Sequence, residues 1–325
     1  MMRILKLALI LFFPRVAHSY EFNLRGSNSG VTPPYHQHIL PANPSKKSTT
    51  TNSLSYMKQL RLPAHPDAVF MSACAIPDSD HLAVFYRERY DMYSTCMAIL
   101  NGTMDVVLDA GPRFAQVEDP RAILFRDDIY VIDNHMAIPR KIYQLSSGKS
   151  VVIRHDHPSQ GKNWSPFEFN GQLHFVFSFF PLCVLRCNVS DGRCSDIMSG
   201  CIGSTHSGEY RGGTNALVRY ERVFGVGHRT LDGNTHVPFL WSFPVALLDG
   251  DMSRINAHDV VVLHDFSSSF EHRGIHDPSA LVQVREKYYV FMTESARSWF
   301  EPQYYNLTIY QLEIPHVQVS TPERP

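Results

Sequence analysis

A strand–turn–strand unit recurs five times along the chain, and this recurrence restricts the fold more than any other feature. Each copy opens on a small or polar residue, often beside proline, and continues as a strand, a turn and an apolar strand. The copies are "FMSACAIPDSDHLAVFYRERY" near Ser72, "VEDPRAILFRDDIYVIDN" at Asp119, "WSPFEFNGQLHFVFSFFP" at Ser165, "GGTNALVRYERVFGVGHRT" at Thr214 and "HDPSALVQVREKYYVFMTES" at Asp277. The first four starts lie about 47 residues apart. The last gap is about 63, which leaves room for an insertion between Gly233 and His272. Multi-strand repeats of roughly 40–50 residues predict propeller blades. Asp127-Asp128, Asn170-Gly171, Glu221-Arg222 and Glu286-Lys287 supply the expected hairpin turns. No segment has the period of a long amphipathic helix. The expectation is an all-β, five-bladed β-propeller over residues 59–316, with a β-sandwich of coincidental spacing as the alternative.

The rest of the chain fits a secretory protein. Arg3 and Lys6 precede an apolar run, Leu7 to Phe13, and Ala17-His18-Ser19 offers small residues for cleavage. Residues 1–19 therefore read as a signal peptide. The run is short for a span, which needs about 20 residues, so no membrane span is expected in the mature chain. Residues 20–58 are rich in Ser, Thr, Asn and Pro and read as a flexible stem, and 317–325 as a tail. All six cysteines follow the signal, which favours disulfides, and Cys187 and Cys194 flank the Asp191-Gly192 turn across which they can pair. Asn101, Asn188 and Asn306 begin glycosylation acceptors. The expected setting is the lumen of the secretory pathway, or secretion. A formal charge of -1 gives no reason to expect a nucleic-acid partner.

In a propeller the starts of the innermost strands face one central pocket, so polar residues far apart in sequence converge there. The starts of this chain resemble those of the five-bladed, glycosidase-like propellers that comprise β-mannoside phosphorylases, β-1,2-mannosidases and β-1,2-mannosyltransferases. The resemblance is carried by Glu118-Asp119-Pro120-Arg121, by "FYR" ending at Arg87, by Lys162-Asn163-Trp164, by His228 in "GVGHRT" and by His276-Asp277-Pro278. It covers about Leu60 to Ile314. It implies that Asp119 is the acid of an inverting reaction, whose proton can pass through a sugar hydroxyl. It implies that Arg87, Arg121, Lys162, Arg211 and His228 hold phosphate, and that Asp277 binds mannosyl hydroxyls. Glu118 is expected to tune Asp119 or pair with Arg121, and Asn163 to line the pocket. The chain departs from the family pattern at Met71-Ser72, where an asparagine often precedes the serine.

The residues alone allow several chemistries. One acid suffices when phosphate is the nucleophile, whereas a hydrolase needs a second carboxylate about 6.5–9.5 Å away to activate water. Glu118, Glu209, Asp277 and Glu294 are the candidates. A transferase would take a sugar phosphate or nucleotide sugar as co-substrate and stabilise the leaving phosphate with basic groups. Each residue also has a plain structural reading: a turn acid before proline for Asp119, a surface lysine for Lys162, a loop arginine for Arg211, a core histidine for His228. Asn163-Trp164 places an aromatic beside Lys162 that would face a sugar ring. Gly212 and Gly213 would let backbone approach a ligand. No metal or cofactor is expected: His155-Asp156-His157 lacks a companion cluster, and the Asp-x-Asp pattern occurs twice, at Asp78 and Asp249. The expectation is inverting glycosyl transfer on β-linked mannosides or a related glycan. A secreted hydrolase of mannans and a non-catalytic carbohydrate-binding propeller are the alternatives.

Overall fold

The computed structural model describes residues 52–63, 65–88, 91–109, 117–134, 139–156, 163–179, 181–197, 210–231, 235–249, 262–266, 270, 274–295 and 305–314. The expected signal segment, stem residues 20–51, Lys162, Cys201, Glu209 and the C-terminal tail lie outside them. The described residues are almost wholly β, with one short 3-10 turn at Val245–Leu247. No helix among them is long and apolar enough to cross a membrane.

Strand β1 (Ser53–Leu60) comes first, within what the composition marks as stem. The folded part therefore begins about six residues before the expected boundary at 59. Four-stranded antiparallel meanders follow. The first is β2 (Ala68–Ala75), β3 (Leu82–Glu88), β4 (Asp91–Leu100) and β5 (Val106–Asp109). The second is β6 (Arg121–Phe125), β7 (Asp128–Ile132), β8 (Lys141–Gln144) and β9 (Ser150–Val152). The third is β10 (Ser165–Phe169), β11 (Gln172–Phe179), β12 (Leu182–Cys187) and β13 (Cys194–Asp196). In the fourth the first strand is split into β14 (Tyr210–Arg211) and β15 (Leu217–Arg219), both paired with β16 (Arg222–Leu231), and β17 (Thr235–Pro244) and β18 (Val262–Asp265) complete it. The stretch expected to hold an insertion thus contains the outer strands β17 and β18. The last meander is β19 (Ile275–Val284), β20 (Lys287–Ser295) and β21 (Asn306–Glu313), and β1 pairs antiparallel with β21 as its fourth strand. A single parallel bridge, His236 to Ile275, joins the last two meanders into one sheet.

Turn chemistry sets the hairpins, one residue earlier than expected in three of four cases. The left-handed positions are Arg126 and Asp127, Asn170 and Gly171, Tyr220 and Glu221, and Arg285. Asp128 and Arg222 belong to the ladders: Asp128 pairs with Phe125, and the Arg222 guanidinium bonds to Ser242 Oγ at 3.0 Å. The inward–outward alternation of the strands decides the register, and the charged pair only marks the neighbourhood of the turn.

The apolar core lies between successive meanders. Trp164, Phe175 and Leu185 of the third segment pack on Ile123, Phe125 and Tyr130 of the second. Phe167 and Val176 meet Phe239, Trp241 and Phe243. Val226 and Leu240 meet Leu281, Val290 and Met292. Ala73, Val84 and Ala98 meet Ala280, Phe291 and Ile309. The inner strands are neighbours in a fixed order: β2 beside β6, β6 beside β10, β10 beside β15, β16 beside β19, and β19 beside β2.

The Cys187–Cys194 disulfide forms across its turn as expected, and Cys183 is also disulfide-bonded. Cys74 and Cys96 are buried thiols outside any disulfide, contrary to the expectation from an even count. They stand opposite different residues of β3, Ala83 and Tyr86, so their strands hold them apart. Burial pushes the Cys74 thiol up, which makes it inert.

Candidate active site

The inner ends of several meanders bring a buried charged cluster together. Asp119 stands just before β6 with φ +46°, an unusual backbone for a residue that precedes proline. The neighbouring backbone is clamped: Glu118 N donates to Asp133 Oδ1 at 3.0 Å, and Asn134 N donates to Glu118 O at 3.0 Å. The carboxylate of Asp119 faces Arg87 from the end of β3, Nη2 to Oδ1 at 3.5 Å. Both residues are only 7% exposed.

Arg121, the first residue of β6, is more buried still. Its Nη1 donates to the backbone oxygens of Asp119 at 3.3 Å and Pro120 at 3.1 Å. Burial pushes its pKa down, and the Asp277 and Asp119 carboxylates oppose that shift. Its charge therefore lies between two acids that are far apart in sequence. Glu118 beside it is clamped through its backbone.

Asp277, near the start of β19, forms an ion pair with His228 of β16, Oδ1 to Nδ1 at 2.8 Å. Burial pushes the Asp277 carboxyl up, but His228, His236 and Arg121 outweigh it and hold the group well below the usual carboxylate range. The His228 ring stacks on His236 of β17 with centroids 4.3 Å apart and planes 6° apart. Burial, and then the His228 charge, push His236 down to about 3. Arg211 lies opposite His228 in the ladder and is exposed, and its charge also acts on His236.

Asn163 is buried with φ +63°. Trp164 does not face a sugar as expected: it is fully buried among Phe175 and Phe177, with the Arg140 guanidinium 4.2 Å over its ring. Its size and apolar surface are used for the core between the second and third meanders. Gly212 and Gly213 also serve packing rather than a ligand. A Cβ on Gly212 would lie 2.0 Å from the Asn163 carbonyl oxygen, and one on Gly213 would lie 2.5 Å from that of Pro278. Glu294, a candidate second acid, is tied elsewhere: it receives the Tyr310 hydroxyl at 2.6 Å and faces His276 Nδ1 at 3.0 Å.

Three further residues join the cluster without having been singled out from the sequence. His236 lies on the strand next to His228, where the pairing of two strands, and not any motif, brings it. Phe70 carries the Arg87 guanidinium 4.3 Å above its ring, and Tyr305 packs edge-on to Phe70 at 5.6 Å. Burial pushes the Tyr305 phenol up; Arg87 counters this, and Asp277 and Asp119 reinforce it. An apolar residue and a tyrosine from an otherwise unmarked loop give no sequence signal of such a role.

Two groups of donor atoms lie within 4.8 Å of one another, His228/His236/Asp277 and His65/Glu88/Cys96. In the first, the two rings lie in nearly parallel planes, so their in-plane lone pairs do not share a plane, and Asp277 is already closed onto His228, which favours an ion pair over a metal cage. In the second, His65 Nδ1 is 2.5 Å from Glu88 Oε1, a hydrogen-bond contact too close for two ligands of one ion. A cavity of about 240 Å³ lined by His174, Arg186, Asp196 and Asp249 contains none of the charged cluster.

No protein-family model matches the chain. Part of the chain is similar to β-mannosyltransferase 2 of Komagataella phaffii (strain GS115), 33% identical over 120 residues, which is 32% of this chain and 19% of that one. Over 82 residues the chain is also 40% identical to β-mannosyltransferase 3 of Candida albicans, 24% of this chain and 14% of that one. The matched stretches thus span less than a fifth of these curated relatives. Among solved structures, an exo-β-1,3-galactanase from Phanerochaete chrysosporium with bound galactose superposes with a TM-score of 0.55 at 8% identity, over 80% of this chain and 65% of that one. At that identity the likeness shows a shared all-β, propeller-type fold and nothing about activity or substrate. The resemblance of the sequence to β-mannosyl-transferring enzymes and that of the fold to glycosidases agree.

Proposed function

We propose that this protein is a carbohydrate-active enzyme of the secretory pathway that makes β-linked mannosides by inverting glycosyl transfer, on a closed five-bladed propeller. The circular order of neighbouring inner strands supports the five-bladed closure. One observation carries the chemistry: the Asp119 carboxylate stands against Arg87, with Arg121 behind it, inside a cluster richer in cations than in free acids.

An arginine within a few ångströms favours the ionised carboxylate. An ionised Asp119 suits the synthetic direction. The acceptor hydroxyl gives its proton to Asp119, and its oxygen forms the bond to the anomeric carbon of the donor. The bond from that carbon to the phosphate oxygen breaks with its electron pair, and configuration inverts. The same residue returns the proton in cleavage, where it is the acid, by microscopic reversibility. Arg87, Arg121, Arg211 and His228 are suited to the charge on the departing phosphate. Asp277, fixed by His228, and Asn163 are suited to sugar hydroxyls. Glu118 shapes the approach through its clamped backbone, and Lys162 completes the basic set in this reading.

Hydrolysis fits less well. It needs a second carboxylate free to activate water. Among the described residues Asp277 is closed onto His228 and Glu294 onto His276 and Tyr310. The test offers the full-length protein GDP-mannose, or mannose 1-phosphate, with a mannoside acceptor, and separately β-mannobiose with and without phosphate. The expected result is a β-linked product with release of the phosphate-bearing group, and at least about a 100-fold loss of kcat in Asp119→Asn. Free mannose from β-mannobiose without phosphate would establish hydrolysis instead. No turnover of any donor would leave a binding protein.

A further inference from the structure

We infer that Phe70 is a positioning residue for Asp119, acting through Arg87; the catalytic weight of this inference rests on the reading of Asp119 given above. Three observations carry it. First, Phe70 is the extra residue of a β-bulge: Val69 pairs with Arg87 and Met71 with Tyr86, so the register slips by one at Phe70. Bulges beside active sites re-aim a side chain. Second, Phe70 has φ +48°, which a bulky residue rarely adopts. Turn residues adopt the same left-handed state, and so do Asp119 and Asn163, each at the entry to an inner strand of the next meander. Third, the ring turned inward by this backbone is 6% exposed and lies 4.3 Å under the Arg87 guanidinium, whose Nη2 faces Asp119. Tyr305 closes the ring's edge at 5.6 Å.

The bulge therefore sets the ring, the ring sets the height and plane of the guanidinium, and the guanidinium sets the charge state and direction of the carboxylate. A planar cation on an aromatic face keeps its charge while losing freedom to swing. Beside the salt bridge at 3.5 Å, the aromatic face adds a restraint on the plane of the guanidinium. Among the described residues, Arg87 from β3 faces Asp119, and the Asp119 charge also acts on Arg121 from β6 and on Tyr305 ahead of β21. Of these, Arg87 is the cation whose placement depends on Phe70.

The test reads Asp119 directly, so that it does not depend on finding the right donor. Full-length protein labelled with carbon-13 at the aspartate carboxyls is titrated by NMR, with Asp119→Asn identifying the resonance. Phe70→Leu removes the aromatic face and keeps an apolar side chain; Phe70→Met is the second variant if the first does not fold; Phe70→Tyr keeps the face. Loss of a fixed arginine raises the midpoint of Asp119, by about one pH unit. The expected result is that rise in Phe70→Leu or Phe70→Met, with parental behaviour in Phe70→Tyr. Where transfer is measurable, kcat falls about tenfold with a smaller change in KM, and the acid limb of the synthetic pH profile moves up with the midpoint. A folded Phe70→Leu or Phe70→Met protein whose Asp119 midpoint matches the parent overturns the inference, whatever its melting temperature. A shifted midpoint in a protein that transfers nothing upholds the positioning role and removes the catalytic one.

Discussion

The stacked histidines show how burial and charge settle a protonation state. His228 faces Asp277 at 2.8 Å, so a positive charge on its ring is compensated. A second charge on His236, parallel to it at 4.3 Å, would not be. Burial and then the His228 charge hold His236 neutral down to about pH 3. An unfolded chain binds a proton at this residue near pH 6.5. Between those values the unfolded state carries more protons, so stability falls as pH falls. Urea midpoints measured at pH 7 and pH 4.5 should therefore drop in the parent, and drop less in His236→Asn. An equal drop in both would mean that other groups carry the acid sensitivity. Residues of this kind set the limit of sequence reading. Asp119, Arg121, His228 and Asp277 were legible because charged residues stood in a repeated frame. Phe70 and His236 were not, because a bulge and a strand pairing bring them in, and neither leaves a mark in residue type.

Ties between meanders are made by polar side chains at the inner strands. Ser72 Oγ accepts from Ala122 N at 2.9 Å, linking the first meander to the second. Asn134 Oδ1 accepts from Trp164 N at 3.3 Å, linking the second to the third. Asn215 does most: its Nδ2 donates to Leu281 O and its Oδ1 accepts from Leu281 N, both at 2.9 Å. It thereby completes the backbone of β19 where the split between β14 and β15 leaves no strand to do so. Asn215→Leu would leave a buried N–H and a buried C=O unpaired, each costing about 1–3 kcal/mol. A loss of roughly 3 kcal/mol is expected in denaturant unfolding, and a value under about 1 kcal/mol would show that water replaces the amide. Element type was legible from the alternation of apolar residues, and so was the turn at Asn170-Gly171. The turns at Arg126, Tyr220 and Arg285 were placed one residue late, because a charged pair is visible in sequence and a left-handed backbone is not.

At the scale of the whole molecule, the last meander is completed by the first strand. β1 pairs with β21 along Ser53 to Leu60 and contributes Leu54 to the core between the fourth and fifth meanders and Leu60 to that between the fifth and first. The spacing of the repeats disclosed the order of the meanders. It did not disclose this closure, because β1 has only two buried positions and lies in a Ser/Thr-rich tract that reads as stem. The consequence is mechanical. With β1 absent, the edge of β21 that it covers would expose a ladder of unpaired backbone groups. Burying two leucines contributes about 2 kcal/mol each, and the ladder adds to that, against a total stability of only about 5–15 kcal/mol. A chain begun at Asn52 should therefore unfold in one cooperative transition. A chain begun at Arg61 should melt at least about 10 °C lower, or aggregate through β21. Hydrogen exchange of the β21 amides locates the effect: protection lost there first, and then in β20, places the weakness at the open edge. If both chains melt together, the fold is held by its inner ties and β1 adds little to the fifth meander.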